Sequence, residues 1–465
     1  MLVTVLGVRA YDAFRAPPLK LWHTVVPHEL DAKAIDAADW PAWLAAEDQV
    51  FAEVRTNVVD KLPAEDRTKA NRYFAGSRMN PAQLTTDWNR SYELMPEGPP
   101  RGAVVLLHGL TDSPYSLRHV AAHYRTLGFV AIGMRMPGHG TVPAALTAVR
   151  WEEWRAATRL AVRHAQTLAG GKPLHIVGYS NGGALALEYA FDALADPGLT
   201  RPDQLVLISP MIGITSVARF AGVLGWPAVF PPFAKAAWLD IVPEYNPFKY
   251  NSFPVNGARQ SSQLVRVVAA RLASAKDAGT LKDLPPVLTF QSALDATVST
   301  LAVFDSLYRY LPNRGHEIVL FDRNWSAEAS ALLKTSNENP VSSIVPVAPR
   351  LYAVTVVSNT PGSSDAVTAS TVRAAALRAE PLTLVQSFPA NFYSLSHVAL
   401  PFPPDDALYG YLPAPDDFGL RLGIVSARGE RDSLIVNAET LMRASSNPFF
   451  GYLLEKIDAT LIAPP

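Results

Sequence analysis

The chain has 465 residues, of which 49% are hydrophobic and 18% are charged, and this composition is typical of a folded globular protein with a large core. Lysine and arginine number 41 against 42 aspartate and glutamate residues, so there is no basic excess of the kind that favours nucleic acid. The absence of cysteine excludes disulfide bonds, thiolate nucleophiles and cysteine-ligated metals, but it does not indicate a compartment.

The first 100 residues precede the strand-like part of the sequence. The apolar run MLVTVLGV is too short to span a bilayer. It is either a strand or arm packed on the core, or the remnant of a signal or anchor whose start is missing. Residues 24–90 carry Trp, Phe, Val and Leu at helical spacing, so we expect a helical extension over residues 1–100.

Later apolar stretches are each interrupted by charges, glycine or proline within about 10 residues, which is too short for a membrane span. We therefore expect a soluble protein, cytoplasmic or periplasmic, with at most peripheral membrane contact.

From residue 103 the pattern changes to short apolar runs separated by amphipathic helical stretches. The runs are AVVLLHG, FVAIGMRMPGHG, PLHIVGYSNGG, QLVLISP, PVLTFQSALD and HEIVLFDRN. Runs that are apolar throughout are typical of strands buried on both faces, and intervening helices indicate right-handed crossovers. We predict an α/β fold whose mostly parallel central sheet is built from residues 101–212 and 285–465.

A serine lies between two glycines in HIVGYSNGGALAL, residues 175–187. Gly178, Ser180 and Gly182 follow a strand-like run and precede a helix-forming one, which is the context of a nucleophile elbow. Glycines two residues before and after the serine let the strand and the helix approach closely at a strained corner. The helix N-terminus also favours developing negative charge. We therefore predict that Ser180 is a nucleophile.

A serine hydroxyl needs a general base, and elimination among the ten histidines leaves His316 and His397. His316 begins a strand-like run, which places it at the wrong end of a parallel sheet whose site lies at the carboxyl edge. His397 lies in the loop-like segment FYSLSHVALPFPPDD. We predict that His397 is the base.

The acid that orients this histidine is expected where a buried strand breaks into a loop. In PPVLTFQSALDATVS that position is Asp295, which we predict as the acid. Asp322, at the end of the next strand-like run, is the alternative. Asp405 and Asp406 follow His397 closely, and we interpret them as loop or supporting residues.

Two backbone N–H groups are needed to bind the oxyanion of a tetrahedral intermediate. Asn181, directly after the serine, is predicted to supply one of them. Leu110 is predicted to supply the other, from the loop of VVLLHGLTDSPYS in which Gly109 lets the backbone turn. His108 is interpreted as shaping this loop, with a place in the substrate pocket as the alternative.

The segments LLHGLTDSPYSLR, MRMPGHGT, GYSNGG, QSALDATV and SLSHVALPFPP occur in the order expected of the α/β-hydrolase superfamily. The chain resembles the bacterial carboxylesterase and monoacylglycerol-lipase-like branch of that superfamily. The resemblance implies a triad of Ser180, His397 and Asp295, with Leu110 and Asn181 as oxyanion donors.

The chain departs from the compact pattern of this family in two places. His397 lies 102 residues after Asp295, which indicates an insertion over residues 323–396. The strand-like pieces RLYAVTVVSNT and PLTLVQSF within it either extend the sheet or form a small subdomain. The N-terminal extension is the second departure, and we expect it to have a packing role.

Residues 213–284 interrupt the sheet, after what we take as its sixth strand, and are predicted to form a cap. Nine aromatic residues lie within 41 residues of this segment. Large apolar side chains above the serine would favour an acyl or aryl group and exclude water, while packing of the cap onto the core is the alternative for about half of them. The candidates for the substrate pocket are Phe220, Trp226, Phe230, Phe233 and Trp238.

These patterns together predict a serine hydrolase of carboxylic esters, acting on a small-molecule ester through an acyl-enzyme. Hydrolysis of amides or thioesters is a variant of this chemistry. A non-catalytic binding protein of the same fold is the alternative, because a fold alone does not prove a function. The sequence has no HExxH, dinucleotide or phosphate-loop motif, so we expect no metal and no cofactor.

Overall fold

A sheet of ten strands forms the centre of the computed structural model. The structure describes residues 14–213, 231–295, 297–327, 340–362, 366–390, 392–414, 421–423 and 444–462. Within these ranges the strands of the chain are β1 (Tyr92–Leu94), β2 (Gly102–Leu107), β3 (Phe129–Met134), β4 (Leu174–Tyr179), β5 (Gln204–Ile208), β6 (Trp238–Asp240), β7 (Phe253–Pro254), β8 (Val287–Ser292), β9 (Glu317–Phe321), β10 (Ala353–Asn359), β11 (Val367–Val372) and β12 (Glu380–Thr383).

The strand order in the sheet is β1-β3-β2-β4-β5-β8-β9-β10-β11-β12, and β6 pairs with β7 in a separate two-stranded ribbon. In this spatial order, all neighbouring strands between β3 and β10 are parallel. At the two edges, β1 pairs antiparallel with β3, and β11 pairs antiparallel with both β10 and β12. Strands β2, β3, β4, β5 and β8 are buried along their whole length. This burial explains the unbroken apolar runs and confirms the predicted, mostly parallel sheet.

Helices cover both faces of the sheet. Their bounds in the described ranges are α1 (Leu21–Thr24), α2 (Ala32–Ala37), α3 (Trp40–Val54), α4 (Arg118–Thr126), α5 (Trp151–Ala169), α6 (Asn181–Ala195), α7 (Val255–Asp277), α8 (Thr300–Ser306), α9 (Pro340–Ile344) and α10 (Phe450–Ile462). Alternate residues of β2 join opposite cores. Ala103, Val105 and Leu107 pack in the core that includes α5, α6 and α7, while Val104 and Leu106 pack in the core that includes α4 and α10.

The segment predicted as a cap follows β5, the fifth strand of the described chain, so the expectation of an insertion after a sixth strand is wrong. The reason is that a single described strand, β1, precedes the parallel series. The described part of the segment contains a 3₁₀ helix at Pro231–Ala237, the ribbon of β6 and β7, and the long helix α7. Phe220, Trp226 and Phe230 lie outside the described residues.

Residues 323–396 add strands to the sheet. Strand β10 pairs parallel with β9, in the register Ala353 to Glu317, and β11 and β12 continue outward as an antiparallel meander. Of the two alternatives for this insertion, the structure therefore shows the extension of the sheet.

The N-terminal helices are attached to the core through a buried ion-pair cluster. The guanidinium of Arg135, just after β3, is fully buried and bonds to Glu29 at 2.7 Å and Glu47 at 2.8 Å. Glu29 also accepts a hydrogen bond from the Gly138 N–H at 2.9 Å. Removing either partner of a buried pair leaves an uncompensated charge, so this cluster holds the extension in place.

The run MLVTVLGV lies outside the described residues. In the part of the chain that the structure describes, no helix is both long and apolar enough to cross a membrane.

Candidate active site

Ser180 lies at the corner between β4 and α6. Its backbone has φ 54° and ψ −115°, a left-handed conformation that is unfavourable for a residue with a side chain. A Cβ atom on Gly182 would collide with the carbonyl group of Leu107, and one on Gly178 would collide with the backbone of Gly182. The strand, sharp turn and helix of the predicted elbow are therefore present, and both glycines are required by close backbone contacts.

Hydrogen bonds from the neighbouring strand hold this strained corner. The Ser180 N–H donates to the Ile208 carbonyl at 3.0 Å, and the Ser180 carbonyl accepts from the Met211 N–H at 2.9 Å. A strained backbone conformation persists only where surrounding contacts hold it. Ile208, at the end of β5, and Met211, just after it, supply these contacts for Ser180. The corner presents a serine side chain at the N-terminus of a 15-residue helix.

His397 and Asp295 are 102 residues apart in sequence and are hydrogen bonded in the structure. The His397 Nδ1 lies 3.1 Å from the Asp295 Oδ2, and the Asp295 side chain is fully buried. His397 begins a 3₁₀ turn, and its ring centroid lies 5.3 Å from that of Tyr179, the residue before Ser180. Because Asp295 engages Nδ1, Nε2 is the nitrogen left to exchange a proton with a substrate or with a serine.

The structure brings His397 beside the elbow without a hydrogen bond between its ring and the Ser180 hydroxyl among the described contacts. Catalytic hydrogen bonds of this kind are often long or poorly aligned before substrate binds. The pair of His397 and Asp295 is thus formed beside the elbow.

Asp295 is surrounded by donors that stabilise its ionised form. Its Oδ1 accepts from the N–H groups of Thr297 and Val298 at 2.8 and 2.9 Å. Its Oδ2 also accepts from Ser209 Oγ at 3.1 Å and Gln291 Nε2 at 3.0 Å. Burial alone would raise the pKa of this carboxyl, but the hydrogen bond and charge of His397, aided by the two amides, leave the pKa below its usual value.

The two alternative residues have other partners. Asp322 accepts from the Trp325 indole N–H and the Ser358 hydroxyl, each at 3.0 Å. His316 Nδ1 accepts from the Val287 N–H at 3.1 Å, at the amino end of β8. His316 thus lies at the opposite end of the sheet from the pair of His397 and Asp295, and the Asp322 carboxylate is engaged by partners other than His397.

The loop after β2 passes directly beside Ser180. A Cβ atom on Gly109 would lie 3.3 Å from the Ser180 Cβ, so the backbone that carries the Leu110 N–H approaches the serine closely. Thr111 has a positive φ of 64°, and its carbonyl accepts from the Tyr250 N–H at 2.7 Å. The position of the Leu110 N–H is therefore set by a strained turn that a residue of the predicted cap holds in place.

His108 supports the same loop from within the core. Its Nδ1 donates to the Gly109 carbonyl at 2.9 Å, and its Nε2 accepts from the Met136 N–H at 3.0 Å. Burial and the neighbouring His139 hold the pKa of His108 well below its usual value, so the ring is neutral. With both nitrogens engaged by backbone, His108 connects the loops after β2 and β3.

Three polar residues at this edge of the sheet were missed by the sequence analysis. Ser209 and Gln291 follow or end otherwise apolar strands and bond to Asp295. Asp112, in the loop after β2, is 6% exposed, and burial raises its pKa to about 6 against the opposing charges of Lys249 and His397. The available signal was a polar residue at the carboxyl end of each buried strand, since these ends meet at one edge of a parallel sheet.

The described contacts of the predicted pocket aromatics concern packing. Trp238 is buried, and its ring meets that of His23 edge-on at 4.8 Å, so it joins β6 to the N-terminal extension. Phe233 lies in the 3₁₀ helix Pro231–Ala237, and its side chain is outside the described part of the structure. The acyl or aryl pocket predicted from these aromatics stays a prediction.

Asp406 connects the segment that follows His397 to Tyr115, Arg118 and His119, which lie beyond the loop after β2. Its buried carboxylate accepts from Arg118 at 2.7 Å, and from Tyr115 and His119 at 3.0 Å. Burial alone would raise the pKa of Asp406, but the charge of Arg118 and the hydrogen bond from His119 hold the pKa well below its usual value. The stretch that follows His397 is thereby fixed to α4 and to the turn before it.

Replacing Asp406 with asparagine is expected to destabilise the fold and to lower activity through His397. The change leaves the buried Arg118 without its counter-ion, and breaking a buried pair costs about 3–5 kcal/mol. Urea unfolding measures the loss. Asp405→Asn is the matched control, because Asp405 is exposed and adjacent. Equal stability of the two variants would contradict the role given to Asp406.

Comparison with known proteins agrees with this architecture. Residues 98–322, just under half of the chain, match the family model described as serine aminopeptidase, S33. No curated protein matches the chain significantly. The match and the sheet topology show the α/β-hydrolase fold, which confirms the predicted fold class and agrees with the resemblance to that superfamily.

Several solved structures are similar to the chain at low identity. One is from a study of the metagenome-derived lipolytic enzymes LipS and LipT, with 22% identity over 47% of this chain and 83% of that chain and a TM-score of 0.38. A soluble variant of monoglyceride lipase from Saccharomyces cerevisiae has 14% identity over 50% of this chain and 81% of that chain, with a TM-score of 0.40. Monoacylglycerol lipase from Paleococcus ferrophilus has 18% identity over 50% of this chain and 87% of that chain, with a TM-score of 0.37.

Proposed function

We propose that this protein is a serine hydrolase of carboxylic esters that works through an acyl-enzyme. The observation that carries the proposal is the His397–Asp295 hydrogen bond beside a strained Ser180 at a helix N-terminus. In this proposal the nucleophile, the base and the acid come from three separate segments that meet at the carboxyl edge of the sheet.

In the proposed reaction, His397 Nε2 takes the proton of the Ser180 hydroxyl as Oγ attacks the ester carbonyl. The resulting oxyanion accepts hydrogen bonds from the Leu110 and Asn181 N–H groups, and each such donor is worth about 2.7–4 kcal/mol of transition-state stabilisation. His397 then protonates the leaving alcohol as the C–O bond breaks. Water, deprotonated by His397, attacks the acyl-enzyme and releases the acid and the free serine.

Asp295 would act throughout by holding the imidazole. Its Oδ2 accepts a hydrogen bond from the Nδ1–H group, which fixes the tautomer with a free Nε2 and stabilises the imidazolium formed after proton transfer. The hydrogen bond and charge of His397, with the N–H groups of Val298 and Thr297, hold the pKa of Asp295 below its usual value, and Ser209 and Gln291 donate to the same carboxylate.

A second candidate is hydrolysis of an amide bond. The same nucleophile, base and oxyanion donors can serve amide cleavage, with His397 protonating a leaving amine. The match to a family described as serine aminopeptidases favours this reading. The two candidates differ in the bond that is cleaved and can be separated with chromogenic substrates.

The first experiment measures hydrolysis of p-nitrophenyl esters of graded acyl length, beside p-nitroanilides of single amino acids. We expect turnover of the esters, with one acyl length giving the highest kcat/KM. A fluorophosphonate should also label the protein, and peptide mapping should locate the label on Ser180. Turnover of the anilides alone would favour the amide candidate, while no turnover and no labelling would favour a non-catalytic binding protein.

A further inference from the structure

We propose that Ser261, on helix α7, is a positioning residue that orients the Asn181 N–H as an oxyanion donor. This inference rests on the proposed function. It assigns a role in the chemical step to a residue of the predicted cap that would touch neither substrate nor nucleophile.

The first observation is a buried hydrogen bond between the two side chains. The Ser261 hydroxyl donates to the Asn181 Oδ1 at 2.7 Å, and the two residues are 2% and 1% exposed. A hydrogen bond in such a dry environment is electrostatically stronger than one in water, and breaking it leaves a buried polar group without a partner. The Asn181 side chain is therefore fixed to α7.

The second observation is that the same hydroxyl reaches Met211. Ser261 Oγ lies 2.9 Å from the Met211 sulfur, and the Met211 N–H is the donor that holds the Ser180 carbonyl. Ser261 thus contacts both Asn181, which follows Ser180 in the chain, and Met211, which lies just after β5 and donates its N–H to the Ser180 carbonyl. One side chain of α7 supports the corner from both sides.

The backbone geometry of the elbow explains why the contact between Ser261 and Asn181 would affect the oxyanion donor. Asn181 is the first residue of α6, and the first N–H groups of a helix have no partner within the helix. The direction of the Asn181 N–H therefore depends on the strained Ser180 backbone and on what anchors the Asn181 side chain. Oxyanion donors act over distances of about 2.7–3.1 Å, so a small rotation of this peptide weakens the bond in the transition state.

The chain offers a matched control at the next position. Ser262 is 5% exposed, and its hydroxyl has no hydrogen-bond partner within the described chain. Ser261→Ala and Ser262→Ala remove the same atom from adjacent buried positions of one helix. Only the first change removes the contact with Asn181.

We expect Ser261→Ala to lower kcat for the preferred ester about tenfold, which corresponds to about 1.4 kcal/mol of transition-state stabilisation. KM should stay equal to that of Ser262→Ala, since the bond acts on the reacting oxygen rather than on substrate binding, while Tm should fall below that of Ser262→Ala because the Asn181 Oδ1 loses its buried donor. Inactivation by a fluorophosphonate should slow in parallel. Ser261→Thr, which keeps the hydroxyl, should recover part of the lost kcat.

Asn181→Ala provides a double-mutant cycle with Ser261→Ala. If the serine acts through the asparagine, adding Ser261→Ala to Asn181→Ala causes no further loss, so the double variant has the kcat of Asn181→Ala alone. Additive losses, or a Ser261→Ala enzyme with the kcat of Ser262→Ala, would overturn this proposal while leaving the proposed function intact. A wild-type protein without hydrolysis or labelling would overturn the proposed function and this role of Ser261 with it.

Discussion

Ser180→Ala is expected to lower kcat for the preferred ester by about 10⁶-fold, the scale of loss when a hydrolase of this type loses its serine nucleophile. The change removes one oxygen atom and keeps the Cβ. The backbone hydrogen bonds to Ile208 and Met211 do not involve the side chain and remain. The variant should therefore fold with the Tm of the wild type, and steady-state kinetics with a purified preparation measures the loss.

Ser262→Ala is a suitable control for Ser180→Ala, because it removes another buried serine hydroxyl without touching the elbow. The control should retain wild-type turnover and fluorophosphonate labelling. A Ser180→Ala protein that keeps more than a tenth of the wild-type kcat would show that another group is the nucleophile.

Local sequence patterns predicted the sheet and the elbow well, for a physical reason. Strands buried on both faces need uninterrupted apolar residues, and β2, β3, β4, β5 and β8 have them. The elbow is a short-range constraint, since Gly178 and Gly182 are required by backbone atoms within a few residues or on the adjacent strand.

The polar surroundings of the candidate site could not be predicted in the same way. Ser209, Gln291 and Ser261 come from three elements, and nothing in their local sequence says which partners they meet. The pairing of His397 with Asp295 depended on elimination and on family resemblance, because β10, β11 and β12 lie between them in sequence. Long-range polar contacts are set by the tertiary fold, and a local sequence pattern carries little information about them.

Asp295→Asn is the second change for which a very large effect is expected, a loss of about 10⁴-fold in kcat. Asparagine fits the same space, but its amide can donate to Nδ1, which moves the imidazole proton to Nε2 and leaves no base for Ser180. In the wild type, kcat should fall at low pH as His397 is protonated, and this fall should be absent from the pH profile of Asp295→Asn. Steady-state kinetics across pH measures both effects.

Asp322→Asn is the matched comparison, because Asp322 follows the neighbouring strand β9 in the place equivalent to the end of β8. Its carboxylate bonds to Trp325 and Ser358, so this change should cost stability and leave kcat within a few-fold of the wild type. The reverse result, with kcat lost in Asp322→Asn and kept in Asp295→Asn, would show that Asp322, after β9, is the acid that orients His397.

Acid stability gives a second readout for Asp295. Its pKa is lower in the folded protein than in the unfolded chain, so the ionised carboxylate stabilises the fold above the unfolded pKa. This contribution is lost as the pH falls through the folded pKa. Below the unfolded pKa of about 4, the wild type should therefore lose stability more steeply than Asp295→Asn in urea unfolding at a series of pH values. Equal slopes would mean that Asp295 is not held ionised by His397 and its four other donors.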